Sequence, residues 1–478
     1  MPMSATSPRS SAPLPGAVIV GAVLLAILNL PGENALLTTF SLVVLVAGVA
    51  LLWRPGEPPI GLFIFAYQWL QASISAFHAN WLGIDVSAYT IYGGDNKSAI
   101  LLTLAGLLFL ALGMRLGSGP PDRAASRQAR EAVLARPLAT WFFLYVAASI
   151  VAVGALQAAA LSPGLAQPLL ALAGLKWAFF MMFAYASFVR NQLGNPLFSC
   201  SFLAELAMST GGYFSDFKTV MFFTLFATAM AGTRLRGLHI AGGAILVCLI
   251  VVSGILWTAI KEDYRNAASG GSASQAVTLD LGDRLGTIAQ LLGRLDGASM
   301  SEATGKMLHR ISYVELFAVV LARVPQTIPH EKGALLLDAA SRPFMPRILF
   351  AEKSQVDDTR RTNYYTGGLS GTYRGTSISL GYMAELYIDF GPLLMMAVIL
   401  LFGWLYGRIY RWLVHSPRAG PLLGFTSACA ILAQAALLEV SLAKLVGGVM
   451  VSVLLTALFI RLVAPRMRSW LEARPAGR

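Results

Sequence analysis

Four ionisable residues of this chain fall inside long apolar runs: Lys176, Glu205, Glu439 and Lys444. Asp216 and Lys218 stand at the edge of another run, and Glu385 and Asp389 open a further one. Charges in such surroundings are costly and are kept for pairing or for function. A second group lies between runs. Lys306, His309 and Arg310 share one face at helical spacing, and Arg347, Lys353, Arg360, Arg361 and Arg374 follow. A guanidinium presents a planar fork that suits phosphate oxygens, so Arg310, Arg347 and Arg374 are candidates to hold a phosphorylated substrate. Glu385, Glu205 and His309 are the candidates for a general base. Simpler readings stand beside these. Glu439 and Lys444 read equally as a helix-end pair, and Arg360 and Arg361 after Asp357 and Asp358 read as a solvated mixed-charge surface. The glycine-rich run Gly367–Gly375 lacks the GxxxxGK pattern of a nucleotide loop and reads as an irregular connection before a helix.

The elements that must carry these groups are membrane helices. The 478 residues are 56% hydrophobic and 13% charged, with mean hydropathy +0.65, which excludes a soluble domain. Apolar runs near 15–31, 35–53, 60–82, 99–116, 138–160, 169–189, 197–212, 218–232, 238–260, 383–407, 421–438 and 444–463 predict an all-α bundle of about twelve transmembrane helices. Arg54, Arg123 to Arg136, Arg190, Arg234, Arg408 to Arg418 and the C-terminal arginines fall on alternate connections, which places both termini in the cytoplasm by the positive-inside rule. The formal charge of +12 is then a topology signal rather than a sign of nucleic-acid binding.

Three regions follow: spans one to nine over 1–260, a large outward segment over 261–382, and spans ten to twelve with a basic tail over 383–478. Within the outward segment Leu279, Leu285, Ile288, Leu292 and Leu295, and then Leu308, Ile311, Leu316 and Val319, recur at near-helical spacing and predict interfacial amphipathic helices. Cys200, Cys248 and Cys429 are far apart, form no metal or redox motif, and read as buried packing residues.

Three stretches carry a family resemblance: His309-Arg310-Ile311-Ser312-Tyr313, Met345-Pro346-Arg347-Ile348-Leu349-Phe350-Ala351-Glu352-Lys353, and Gly381-Tyr382-Met383-Ala384-Glu385-Leu386-Tyr387-Ile388-Asp389-Phe390-Gly391. Together with the Glu205 to Lys218 hairpin they resemble the Wzy-type oligosaccharide repeat-unit polymerases over roughly Leu203 to Arg411. Ala351 stands where that pattern has a proline.

The resemblance implies a GT-C-like glycosyltransferase of the bacterial inner membrane, with its large loop in the periplasm. Such an enzyme joins undecaprenyl-pyrophosphate-linked oligosaccharides into O-antigen, capsule or exopolysaccharide. It implies Arg310, Arg347, Arg374, Lys353 and Lys218 as pyrophosphate ligands, with Asp216, Tyr313 and Tyr373 against sugar. Membrane lipid and a chain-length regulator are the expected partners. Cations at the interface can stabilise the departing lipid pyrophosphate, so no metal or other cofactor is expected. An O-antigen ligase-like transferase and a transporter of polysaccharide intermediates are the alternatives.

Overall fold

The computed structural model describes residues 14–190, 195–210, 217–232, 237–268, 279–345, 350, 356–369 and 378–472. Among these the secondary structure is helical, with no strand. The first half runs α1 (Leu14–Asn29), α2 (Ala35–Leu52), α3 (Ile60–Leu82), α4 (Asn96–Ser118), α5 (Arg123–Leu134), α6 (Leu138–Leu161), α7 (Ala166–Gly174), α8 (Lys176–Val189), α9 (Pro196–Thr210), α10 (Phe217–Ala231) and α11 (Gly237–Ala268). The segment between α11 and α17 supplies α12 (Leu281–Leu292), α13 (Gly297–Ile311), α14 (Glu315–Arg323), α15 (Ala334–Ser341) and α16 (Asp358–Thr366). The chain closes with α17 (Tyr382–Val414), α18 (Gly420–Leu432), α19 (Leu442–Leu462) and α20 (Ala464–Glu472).

Seven helices are long and apolar enough to cross a membrane: α2, α3, α4, α6, the α7–α8 pair, α17 and α19. Shorter apolar helices occur at Gly16–Asn29, Pro196–Ser209, Lys218–Met230 and Gly420–Ala436. The protein is thus a helical membrane bundle.

Its cation-rich connections meet at one end. Arg54 donates to Glu57 at 2.5 Å and to the Gly119 carbonyl at 2.7 Å, while Tyr410 donates to Glu57 at 2.5 Å. Arg190 reaches the Val133 carbonyl at 2.7 Å. At that end α5 packs on the bundle through Ala125, Ala129 and Val133, which form one buried stripe. Its first turn is capped by Asp122, which accepts from the Ala125 N–H. Asp residues cap α4, α12, α13 and α16 in the same way, through Asp95, Asp280, Asp296 and Asp357. Each such cap satisfies an otherwise orphaned helix N–H and is worth about 1 kcal/mol.

The axis of the bundle is the contact between α4 and α17. Gly113 and Gly117 on α4 face Gly403 and Gly407 on α17, two GxxxG pairs set backbone to backbone. A β-carbon at Gly113 would meet the Leu400 carbonyl and Trp404 nitrogen, and one at Gly403 would meet the Leu110 carbonyl.

The α17 helix is not one rod. Gly391 has φ 68° and ψ −176° and is followed by Pro392, so the helical ladder breaks there. A β-carbon at Gly106 would lie 3.1 Å from Ile399 Cδ1 and 3.4 Å from Met383 Sδ. On a straight helix residues 383 and 399 would stand about 24 Å apart, so the chain folds back on itself at Gly391. The membrane-length arm is therefore 392–414, and 382–390 is a short re-entrant arm. The run read at 383–407 straddles this reversal, because composition does not change across it.

Two further expectations are corrected. α14 is a core helix rather than an interfacial one: Leu316, Phe317, Ala318, Val319 and Val320 are all buried, since its apolar residues run around the whole helix. The Leu308-to-Val319 pattern is also divided by a turn at Ser312. Cys429 is buried as read, but Cys200 and Cys248 are exposed on the outside of the bundle, where an apolar side chain meets lipid at no cost.

Replacing Gly403 by Leu should drive the side chain into α4 backbone that cannot yield. We expect a loss of roughly 1–3 kcal/mol or more of stability, read as a clear fall in the thermal midpoint in detergent. The exposed Gly154, with open space around it, should tolerate Ala.

Candidate functional site

Non-helical backbone inside a membrane bundle must find hydrogen-bond partners from side chains. Here two glutamines of α3 provide them. Gln68 Nε2 donates to the Ala435 carbonyl at 2.6 Å, and its Oε1 accepts from the Tyr382 hydroxyl at 2.8 Å. Gln71 Oε1 accepts from the Leu438 N–H at 2.9 Å, and its Nε2 donates to Glu439 at 2.8 Å. The Gln71 carbonyl accepts from the Tyr313 N–H at 3.2 Å. The break after α18, the turn after α13 and the start of α17 are thereby tied to one helix. Gly381, at φ 85°, sits against the Leu438 carbonyl and Tyr313, where a β-carbon has no room. The Tyr313 hydroxyl donates to the Ser379 carbonyl, and burial raises its pKa above the ordinary phenol value, with Glu439 and Asp358 adding to the effect. The Tyr313 hydroxyl thus serves as a donor to backbone within the fold.

A charged layer adjoins this knot. Glu385 is buried, with Oε2 accepting from the Leu442 N–H at 2.8 Å and Oε1 from Arg361 at 3.3 Å. Arg361 also reaches Asp338 at 3.4 Å, which pairs with Arg342 at 2.9 Å. Burial opposes the Arg361 charge, but Glu385, Asp338 and Asp358 outweigh it and raise the pKa above its ordinary value. Lys444 pairs with the buried Asp358 at 2.7 Å. The solvated surface read at Arg361 is therefore corrected to a largely buried ion-pair network. The helix-end pair read for Glu439 and Lys444 is corrected too, since each takes a different partner. Asp389 accepts from the Leu335 and Leu336 N–H groups at 3.0 and 2.8 Å, capping α15 across the fold.

His309 and Arg310 end α13. His309 Nδ1 lies 2.9 Å from Glu315 Oε1, and Glu315 Oε2 accepts from the Ile91 N–H at 2.9 Å. The imidazole stacks on Tyr89, centroids 4.7 Å apart and planes at 8°. The Tyr89 hydroxyl is 2.8 Å from His78 Nδ1. Burial, with Glu315 beside it, pushes the Tyr89 pKa up to about 12, so this ring stays neutral. Glu315 fixes Nδ1 as the donor and leaves Nε2 as the proton acceptor. Arg310 is exposed. Lys306 turns instead to Glu302 at 2.8 Å, so it does not join His309.

Glu205 stands elsewhere. It is fully buried between the Tyr145 hydroxyl at 2.6 Å and Lys176 Nζ at 2.8 Å, on a cavity of about 700 Å³ between α6, α7, α8 and α9. Among the described residues, Glu205 shares neither hydrogen-bond partner with His309 or Glu385. Lys218 is half-buried in the first turn of α10. Asp216, Arg347, Lys353, Tyr373 and Arg374 lie outside the described residues.

Residues 139–440 match the model of a family described as a domain of unknown function, DUF8712. The chain belongs to this family. The DUF8712 segment holds Glu205, His309, Arg310, Glu315, Glu385 and Glu439, while Gln68, Gln71, His78 and Tyr89 precede it. No curated protein and no solved structure matches the chain.

Sequence reading missed Glu315, Gln68, Gln71 and Tyr89. Two amides three residues apart within an apolar run were the available signal for the glutamines. Lys176→Met should leave Glu205 buried without its cation and cost roughly 3–5 kcal/mol, whereas adding Glu205→Gln should recover much of that loss. Thermal unfolding of both variants in detergent measures the difference.

Proposed function

We propose that this protein is a membrane glycosyltransferase that joins undecaprenyl-pyrophosphate-linked oligosaccharide repeat units at the periplasmic face of the bacterial inner membrane. In this reading the chain crosses twelve times with both termini in the cytoplasm, and α12 to α16 belong to the periplasmic side. The observation that carries it is the end of α13: an imidazole oriented by a buried carboxylate, followed directly by an exposed guanidinium.

The reaction would run as follows. His309 Nε2 takes the proton of a sugar hydroxyl on the incoming unit. That oxygen bonds to the anomeric carbon of the growing chain, and the bond from that carbon to the pyrophosphate oxygen breaks. Undecaprenyl pyrophosphate departs with the electron pair, and Arg310 meets its growing negative charge. Glu385 is better suited to positioning than to proton transfer, because both its oxygens are engaged and it is 1% exposed. Glu205 lies outside this scheme.

A transporter of polysaccharide intermediates is the second reading. The reversal at Gly391 and the break after α18 favour it, since broken helices beside buried charge are features of transport sites.

Deletion of the gene separates the two. Single-unit lipid intermediates accumulating on the outer leaflet support the transferase, and accumulation on the inner leaflet supports the transporter. His309→Ala should lower the polymerisation rate about 10²- to 10⁴-fold, and Arg310→Ala about 10²- to 10³-fold. Polymer of normal amount and length from both variants would overturn the assignment.

A further inference from the structure

At the basic end of the bundle, the last turns of α17, the connection to α18 and the last turns of α19 enclose a cavity of about 430 Å³. Arg408, Arg411, Arg418 and Arg461 line it, with His415 and Trp412. This end is expected to be basic, because positive charge marks membrane topology. Topology alone does not explain how these cations are placed. Other arginines at the same end have acceptors within the chain: Arg54 has Glu57, Arg115 has the Gly119 carbonyl, and Arg190 has the Val133 carbonyl. Among the described residues, none of the four arginines lining the cavity forms an ion pair, and the nearby acid, Asp122, is 3.1 Å from His415.

Like charges gathered on one concavity repel unless an anion joins them. Guanidinium forks match phosphate oxygens bidentately. The cavity also has an apolar side. Ala457 and Ile460 line it, Trp412 is 43% exposed, and Leu458 and Leu462 are exposed along α19. An indole at the headgroup level beside a bare apolar helix face is the environment of a membrane interface. A soluble anion would use the arginines and leave that face unused, whereas an amphiphile would use both.

We propose that this cavity binds the headgroup of an anionic membrane phospholipid, with its phosphate among Arg408, Arg411, Arg418 and Arg461 and its acyl chains along α19. Four guanidinium groups exceed the need of one phosphodiester, so a lipid with two phosphodiesters binds more tightly than a lipid with one. The site lies at the end of the bundle opposite His309 and is independent of the transferase reading.

The test uses delipidated full-length protein in neutral detergent. Thermal midpoint and lipid retention in native mass spectrometry are measured with diphosphatidylglycerol, phosphatidylglycerol, phosphatidylcholine and inorganic pyrophosphate. We expect a midpoint rise of several degrees with diphosphatidylglycerol, a smaller rise with phosphatidylglycerol, and none with phosphatidylcholine. Arg411→Ala with Arg461→Ala should weaken retention at least tenfold, while Arg411→Lys with Arg461→Lys retains an intermediate affinity. Arg123→Ala with Arg127→Ala removes equal charge from α5 and should leave retention unchanged. If the alanine pair lowers the midpoint without lipid, Arg408→Gln with Arg418→Gln reads the same contact. Unchanged retention in the cavity variants overturns the site. Equal loss in the α5 control reduces it to diffuse charge, and a pyrophosphate effect matching that of lipid makes the ligand a soluble anion instead.

Discussion

The hydrogen bonds of Gln68 and Gln71 set the terms for the end of the bundle where the α13 turn, the start of α17 and the break after α18 meet. Away from water, an unpaired backbone N–H or C=O costs about 1–3 kcal/mol, so a membrane bundle can interrupt its helices only where partners are supplied. The amides of α3 supply them to Ala435, Leu438 and the Tyr382 hydroxyl, while the α3 backbone accepts from Tyr313. Because those partners come from three distant parts of the chain, one helix face fixes the relative positions of the α13 turn, the re-entrant arm of α17 and the break after α18. Glu385 extends the same principle through the Leu442 N–H, and Arg361 balances its charge.

A second constraint holds the frame in which this happens. The paired GxxxG stretches of α4 and α17 bring backbone against backbone, where dispersion replaces the hydrophobic drive that lipid does not provide. The 392–414 arm is thereby anchored, and the reversal at Gly391 can present the 382–390 arm to the interior. His330 and Asp389 tie this corner to the segment before α15: His330 Nδ1 is 3.1 Å from the Tyr387 and Ile388 carbonyls, and Asp389 caps α15.

Helix type was legible where apolar runs were long and uniform, as in α2, α4, α6 and α19. Chain reversals were less so, because a re-entrant arm and a full span have the same composition; only the Gly391-Pro392 pair marked the break. His309 and Arg310 could be singled out from their spacing, but the carboxylate that orients the imidazole could not. Glu315 lies beyond a turn at Ser312, and nothing local announces that the turn brings it back. Arg361 and Glu385 are 24 positions apart, so their pairing is a product of the tertiary fold. Glu205 was visible as a charge in an apolar run, yet its pairing with Tyr145 and Lys176 depends on which helices neighbour α9.

In the proposed reading, labour is divided between the His309 imidazole with its adjacent Arg310 and buried ion pairs that hold the surrounding backbone. The most direct test of that account is turnover by purified protein in detergent, supplied with a panel of undecaprenyl-pyrophosphate oligosaccharides and read by gel and mass spectrometry. Regular ladders of polymer with released undecaprenyl pyrophosphate are the predicted result. Absence of turnover across a verified panel, from protein shown to be folded, would contradict it.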